Sequence, residues 1–161
     1  MFGFGQLIGI LKKNPKKIVF TEGEDPRILE ASSRLLASYF LHPILIGDEK
    51  RIADAAEESG FNIRGAEIID PEKFDKIDEM VELYCELRKK KGVTPDQARE
   101  ILKQANYFGT MLVKMGFADA LLGGATYSTA DTVRPALQLI KTKPGNNLVS
   151  SCFILVRPSA T

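Results

Sequence analysis

Four short apolar runs, each closed by turn residues and separated from the next by helical patterning, constrain this chain most. Ile18-Val19-Phe20 runs into Thr21-Glu22-Gly23-Glu24, and Pro43-Ile44-Leu45-Ile46 is closed by Gly47. Ala66 to Ile69 stops at Asp70-Pro71, and Ala120-Leu121-Leu122 meets Gly123-Gly124. Runs this short and this apolar suit strands covered on both faces. Helical signals fill the gaps. Asp25 can cap a helix with Pro26 at its first position, carrying Ile28, Leu35, Leu36 and Tyr39. Asp48 opens a helix through about Ser59, and Gly60 ends it. A long helix is expected from Phe74 to Lys91, stopping at Gly92; Thr94-Pro95 starts another, with Gln97 in its first turn. Asn106 to Met115 and part of Thr126 to Ile140 complete the set, after an amphipathic helix over 2–13 that Asn14-Pro15 ends. Strand and helix alternate almost throughout. The fold class expected is α/β: a three-layer αβα arrangement with a mostly parallel, Rossmann-like sheet.

At 161 residues the chain can build one real core but not two full domains. The breaker stretch Pro144-Gly145-Asn146-Asn147 sets the boundary: an α/β domain over 1–146, then 147–161 as the start of a truncated second domain. Leu148 to Val156 reads as a strand without partners, an apolar edge prone to pair with another copy. A net charge of +1 asks for neither nucleic acid nor an anionic membrane. Cys85 and Cys152, far apart in sequence, make no disulfide framework and read as reduced thiols of a cytoplasmic protein. The N-terminus is apolar and then basic, the reverse of a secretory signal, and no apolar run approaches the ~20 residues that span a bilayer.

In open α/β sheets ligands bind at the carboxyl ends of strands, and two such ends stand out. Thr21 to Asp25 is acidic and lacks both glycine-spaced phosphate motifs, so the bland reading is a capping Asp25 beside solvated glutamates. Gly123 to Pro135 suits an anion better. Its glycines permit close backbone approach, Ser128, Thr129 and Thr132 place hydroxyls at a helix start, and Arg134 adds a permanent charge. A plain capped helix after a glycine turn explains the same residues. Val133, Ala136, Leu137 and Ile140 are expected to form the buried stripe, with the regular helix beginning near Asp131 or Thr132 to accommodate Pro135. On the long helix, Ile77, Val81, Tyr84 and Arg88 share a face, so an arginine extends an apolar stripe. Alternatively Arg88 belongs, with Lys89 to Lys91, to a solvated basic helix end. His42 is the only histidine, which excludes a histidine-based metal site, and the carboxylates show no ligand spacing.

Three blocks carry a resemblance. Ile18 to Leu29 (IVFTEGEDPRIL), Tyr84 to Thr94 (YCELRKKKGVT) and Ser128 to Pro144 (STADTVRPALQLIKTKP) resemble phosphate acetyltransferases in order and spacing. That family usually carries proline where this chain has Thr21. Phosphate butyryltransferases and the acyltransferase-like tail of some malic enzymes are similar but poorer matches. The resemblance covers the family's first half and weakens after Val156. It implies reversible transfer of acetyl between coenzyme A and inorganic phosphate, through thiolate attack on acetyl phosphate. The partners implied are coenzyme A (as acetyl-CoA, a substrate), acetyl phosphate and phosphate, in a homodimer, with no other cofactor. Arg88 and Arg134 match arginines the family uses to bind coenzyme A; Ser128 and Thr129 match a supporting loop beside the cleft. The family's catalytic serine, arginine and aspartate lie in its second half, so this chain is expected to hold no catalytic residue and to be inactive alone. The rival reading is a non-catalytic coenzyme A-binding or structural module.

Overall fold

The computed structural model describes residues 4–39 and 41–152. Strands β1 (Lys16–Phe20), β2 (Leu41–Ile46), β3 (Glu67–Ile69) and β4 (Ala120–Leu122) form a parallel sheet in the order β3-β2-β1-β4. Around it lie α1 (Phe4–Lys13), α2 (Pro26–Ser38), α3 (Glu49–Glu58), α4 (Ile77–Leu87), α5 (Pro95–Leu102), α6 (Ala105–Lys114) and α7 (Thr129–Pro135). The expected three-layer α/β architecture is the one observed.

Alternation along the strands makes two cores, because successive side chains point to opposite faces. Val19, Ile44 and Ile46 pack under α4, α5 and α6, with Met80, Tyr84, Leu102 and Phe108 buried above them. Phe20 and Leu45 face the other way, against Ile28 and Leu29 of α2 and Ile52 of α3. Each fully buried aliphatic side chain of this kind contributes roughly 1.5–3 kcal/mol. Gly109 lets α6 lie close to the sheet. A Cβ there would sit 2.9 Å from Ile46 Cδ1 and 3.0 Å from Leu121 Cδ1.

The helix starts follow the sequence. Asp25 and Asp48 accept hydrogen bonds from the amides of Arg27 and Arg51, and Thr94 with Gln97 forms a capping box. Several helix ends and faces differ from expectation. Tyr39 leaves α2 in a left-handed conformation (φ 55°) and is 84% exposed, beyond the buried stripe rather than on it. The long helix begins at Ile77, not Phe74, whose ring packs edge-on against Phe108 and Phe117 at 5.3 and 5.7 Å and so anchors the preceding turn. It ends at Leu87; Lys89 to Lys91 make one 3₁₀ turn, closed by Gly92 at φ 64°. α1 forms, but Leu7, Ile8 and Ile10 are exposed among the described residues. Leu148 to Cys152 form no strand, and Leu148 and Val149 are exposed; the rest of that expected strand lies outside the described residues.

The chain builds β1, β2 and β3 outward in one direction, then returns to place β4 on the other side of β1. The point between β1 and β4, where strand order reverses, is where folds of this type open a crevice.

Candidate functional site

Both strand ends singled out in the sequence meet at this reversal. β1 pairs with β4, so the loop after Phe20 lies beside the loop after Leu122. Glu22 bridges them. Its Oε1 accepts hydrogen bonds from the amides of Gly124 (3.1 Å), Thr126 (2.8 Å) and Tyr127 (3.1 Å), and from the Thr126 hydroxyl (3.4 Å). Its Oε2 accepts from the Thr21 hydroxyl at 2.8 Å. Gly124 has φ +108°, a conformation that favours glycine, and a Cβ on Gly123 would meet Thr21 Oγ1 at 2.7 Å. Burial alone would raise the Glu22 pKa. The hydrogen bonds from Thr126, Tyr127, Thr21 and Gly124 outweigh that effect and hold it below the ordinary glutamate value.

The acidic loop is therefore not a solvated one. Glu22 is tied to the backbone opposite, and Glu24 pairs with Arg51 at 2.7 Å. Asp25 caps α2 as expected, and its pKa is lowered chiefly by the Arg27 side chain. Arg27 also donates to the carbonyl oxygen of Ala125 at 2.6 Å, gripping the β4–α7 loop from a second side.

Beyond that loop Ser128 caps α7. Its hydroxyl accepts from the Asp131 amide at 3.2 Å and donates to the Asp131 carboxylate at 2.6 Å. Thr129 follows, exposed, as the first residue of α7. The helix thus begins earlier than Asp131 and holds Pro135 in its interior. Proline has no amide hydrogen, so the Asp131 carbonyl four residues back loses its helical donor. Asn106 replaces it, its Nδ2 donating to Asp131 O at 2.8 Å. After Pro135 the chain widens into a π turn over Ala136–Ile140, closed by the Lys141 amide donating to Ala136 O. The extra residue in that turn changes the buried face. Pro135 and Leu139 are buried, while Val133, Leu137 and Ile140, expected inside, are exposed.

Arg134 is exposed and forms no ion pair with any described residue. It lines a cavity of about 170 Å³ together with Asn106, Tyr107 and Asp131. Arg88 stands at the C-terminal end of α4, on the same side of the sheet as α6. It is half-buried, and its Nε is shielded with no hydrogen-bond partner among the described residues, unlike the exposed Lys89 to Lys91. Burial raises the Tyr84 phenol pKa, and the nearby Arg88 guanidinium opposes that rise. The Tyr84 ring meets Tyr107 edge-on at 6.4 Å, and Tyr107 shares the cavity of Arg134. An aromatic pair thus connects the surroundings of the two arginines.

The larger cleft, about 660 Å³, opens at the carboxyl ends of β1 and β2. Glu22, Glu24, Asp25, Asp48, Asp70 and Glu72 line it against only Arg51, Lys73 and Lys103. Arg51 is paired with Glu24, Lys73 with Asp48 and Asp70, and Lys103 with Glu100. A polyanion finds little free positive charge there. Arg134 offers more to such a ligand despite its smaller cavity. Glu22, Arg27 and Asn106 are the residues that sequence reasoning left without a role. The first two lie inside the block that carries the resemblance, which was the one signal available.

Comparison with known proteins identifies the family. The family model described as phosphate acetyl/butaryl transferase matches residues 4–161. The phosphate acetyltransferase of Bacillus subtilis (strain 168) is 50% identical over 141 residues, covering 88% of this chain and 43% of the relative. That of Thermoanaerobacterium thermosaccharolyticum is 47% identical over 148 residues, covering 92% and 44%. Among solved structures, the EutD phosphotransacetylase from Staphylococcus aureus superposes with a TM-score of 0.80 at 44% identity, covering 90% of this chain and 45% of that one. A phosphotransacetylase from Streptococcus pyogenes gives 0.80 at 43% identity, covering 89% and 45%. The chain spans less than half the length of these relatives, and it belongs to the phosphate acetyl/butaryl transferase family.

Proposed function

We propose that this chain forms the coenzyme A-binding α/β portion, over 1–146, of a phosphate acetyltransferase. That enzyme moves acetyl reversibly between coenzyme A and inorganic phosphate. The observation that carries the reading is Arg134, an exposed guanidinium without an ion pair among the described residues. It lies within the residues that the family model matches. Arg134 suits a phosphate of coenzyme A, because a planar guanidinium can donate two parallel hydrogen bonds to phosphate oxygens. Arg88, whose shielded Nε has no partner among the described residues, supplies a second cation on the same side of the sheet. Ser128 supports by fixing the first turn of α7, and Thr129 presents beside it an exposed hydroxyl with no side-chain hydrogen bond among the described residues.

In the reaction the coenzyme A thiol gives its proton to a base. The thiolate sulfur then bonds to the carbonyl carbon of acetyl phosphate, and the C–O bond to phosphate breaks with its electron pair leaving on phosphate. Nothing is oxidised or reduced, so no redox cofactor is proposed. We assign the base and the groups that hold developing charge to the portion of the relatives that this chain does not span. The 161 residues taken alone bind without turnover. The names of the relatives favour acetyl over butyryl. A homodimer in the cytoplasm is part of the same proposal; among the described residues no helix is long and apolar enough to cross a membrane.

Arsenolysis of acetyl-CoA, run beside a coenzyme A titration of the purified chain, tests the reading. Saturable binding with no turnover is expected. Turnover at ordinary enzyme rates of ~1–10³ per second would overturn the division of labour. Absence of any coenzyme A binding would favour a purely structural module.

A further inference from the structure

We propose that Glu22 is the positioning residue of the coenzyme A-contacting segment: its carboxylate occupies a backbone anion nest after β4 and so sets where α7, with Arg134 upon it, begins. The proposal rests on the coenzyme A reading above for its functional half, and on hydrogen bonds alone for its structural half.

Converging backbone amides after a strand, at the reversal of strand order, are the usual receptacle for a ligand phosphate in open α/β sheets. Here three such amides, of Gly124, Thr126 and Tyr127, converge on one oxygen of the chain's own carboxylate, at 3.1, 2.8 and 3.1 Å. The second oxygen is held by Thr21, so both oxygens are engaged. An incoming phosphate would have to displace Glu22 and would then face Glu24 and Asp25 as well. The nest is closed to external phosphate, and its occupant serves the loop.

What the loop delivers is α7. Ser128, one residue after the last tethered amide, caps that helix, and Arg134 sits within its seven residues. Arg27 holds the same loop at Ala125 O, leaving Glu22 as the tether on the amide side. Glu22 is only partly buried, so its contribution is placement of the loop rather than filling of a core.

Glu22→Ala empties the nest, and formate, a carboxylate small enough to refill it, is the probe. In the full chain, the amides of Gly124, Thr126 and Tyr127 should lose hydrogen-exchange protection in Glu22→Ala and regain it saturably with formate. Coenzyme A affinity should fall roughly tenfold, the worth of a charged hydrogen bond, and recover along the same formate curve. Glu22→Gln, which keeps an acceptor without the charge, guards against failure of the alanine variant to fold; it should show the same losses in smaller measure. Unchanged amides in both variants, or exposed amides that formate does not restore, would overturn the nest. Equal coenzyme A affinity in wild type and variants would overturn the positioning role. If the amides respond and formate rescues them while the wild-type chain binds no coenzyme A, the nest stands and the coenzyme A reading falls.

Discussion

Glu22 Oε1 lies 2.8 Å from the backbone nitrogen of Thr126, 104 residues away in sequence. The contact ties the ends of the neighbouring strands β1 and β4 together by charge-assisted hydrogen bonds, worth about 1.5–3 kcal/mol when a partner is lost. Its dependence on acid follows from the lowered pKa. The carboxyl binds its proton less readily in the fold than at the ordinary value of 4.5. The stabilisation is therefore complete above the ordinary glutamate range and is lost as pH falls through the lowered folded value. Asp25 and Glu24 lie in the same loop, Arg27 raises local positive charge, and Tyr127 feels the Glu22 charge. Denaturant unfolding of wild type and Glu22→Gln should differ most near neutrality and converge as pH falls through the lowered folded value. A gap that stays constant with pH would refute this account.

The two arginines differ in setting, and their substitutions should differ in consequence. Arg134→Ala removes an exposed cation that has no ion pair among the described residues, so stability should change by no more than about 0.5 kcal/mol. Arg88→Ala also removes a half-buried stem beside Tyr84 and should destabilise the fold measurably. At the corresponding positions of a full-length relative, each change should raise the coenzyme A requirement roughly ten- to hundred-fold, from about 1.5–3 kcal/mol per lost contact. Steady-state kinetics with each substrate varied would show it. An effect on acetyl phosphate alone would count against the assignment.

Ser128 and Thr129 can be separated the same way. The Ser128 hydroxyl is engaged as a helix cap, whereas Thr129 is exposed and free of side-chain hydrogen bonds among the described residues. Ser128→Ala should cost about 1 kcal/mol in thermal unfolding and loosen α7. Thr129→Ala should leave stability within about 0.5 kcal/mol and act on coenzyme A binding only. Equal destabilisation by both would show that the cap is not specific to Ser128.

Much of the fold was legible because its signals are local. The apolar runs, the capping aspartates and Thr94 with Gln97 declare themselves within a few residues, and the apolar run Ala120-Leu121-Leu122 is β4 in full. The site was legible only in part. Nothing near Glu22 announces that its partner is Thr126, because that contact exists only once β1 and β4 pair. The buried face of the last helical segment was misjudged for a related reason. A period of 3.6 residues places Val133 and Leu137 inside, but a π turn after Pro135 shifts the phase and buries Leu139. Arg88 looks like one more basic residue in a run of four, but the fold shields its Nε.

Asn106 and Pro135 make the sharpest test of how α7 is held. Pro135 withholds an amide hydrogen from Asp131 O, and Asn106 supplies one from another helix at 2.8 Å. Asn106 is buried, so its removal takes away that donor and leaves an unfilled space where its side chain packed. Asn106→Ala should therefore cost about 1–3 kcal/mol. Pro135→Ala restores a main-chain donor at the position where an α-helix provides one, so Asn106 becomes dispensable to that carbonyl. In the Pro135→Ala background, the cost of Asn106→Ala should shrink by about 1 kcal/mol, a coupling that a double-mutant cycle in urea can resolve. Additivity within about 0.3–0.5 kcal/mol would mean that the two residues act separately. The Asn106 bond from α6 would then hold α7, and Arg134 in its last turn, to the same extent whether or not residue 135 is proline.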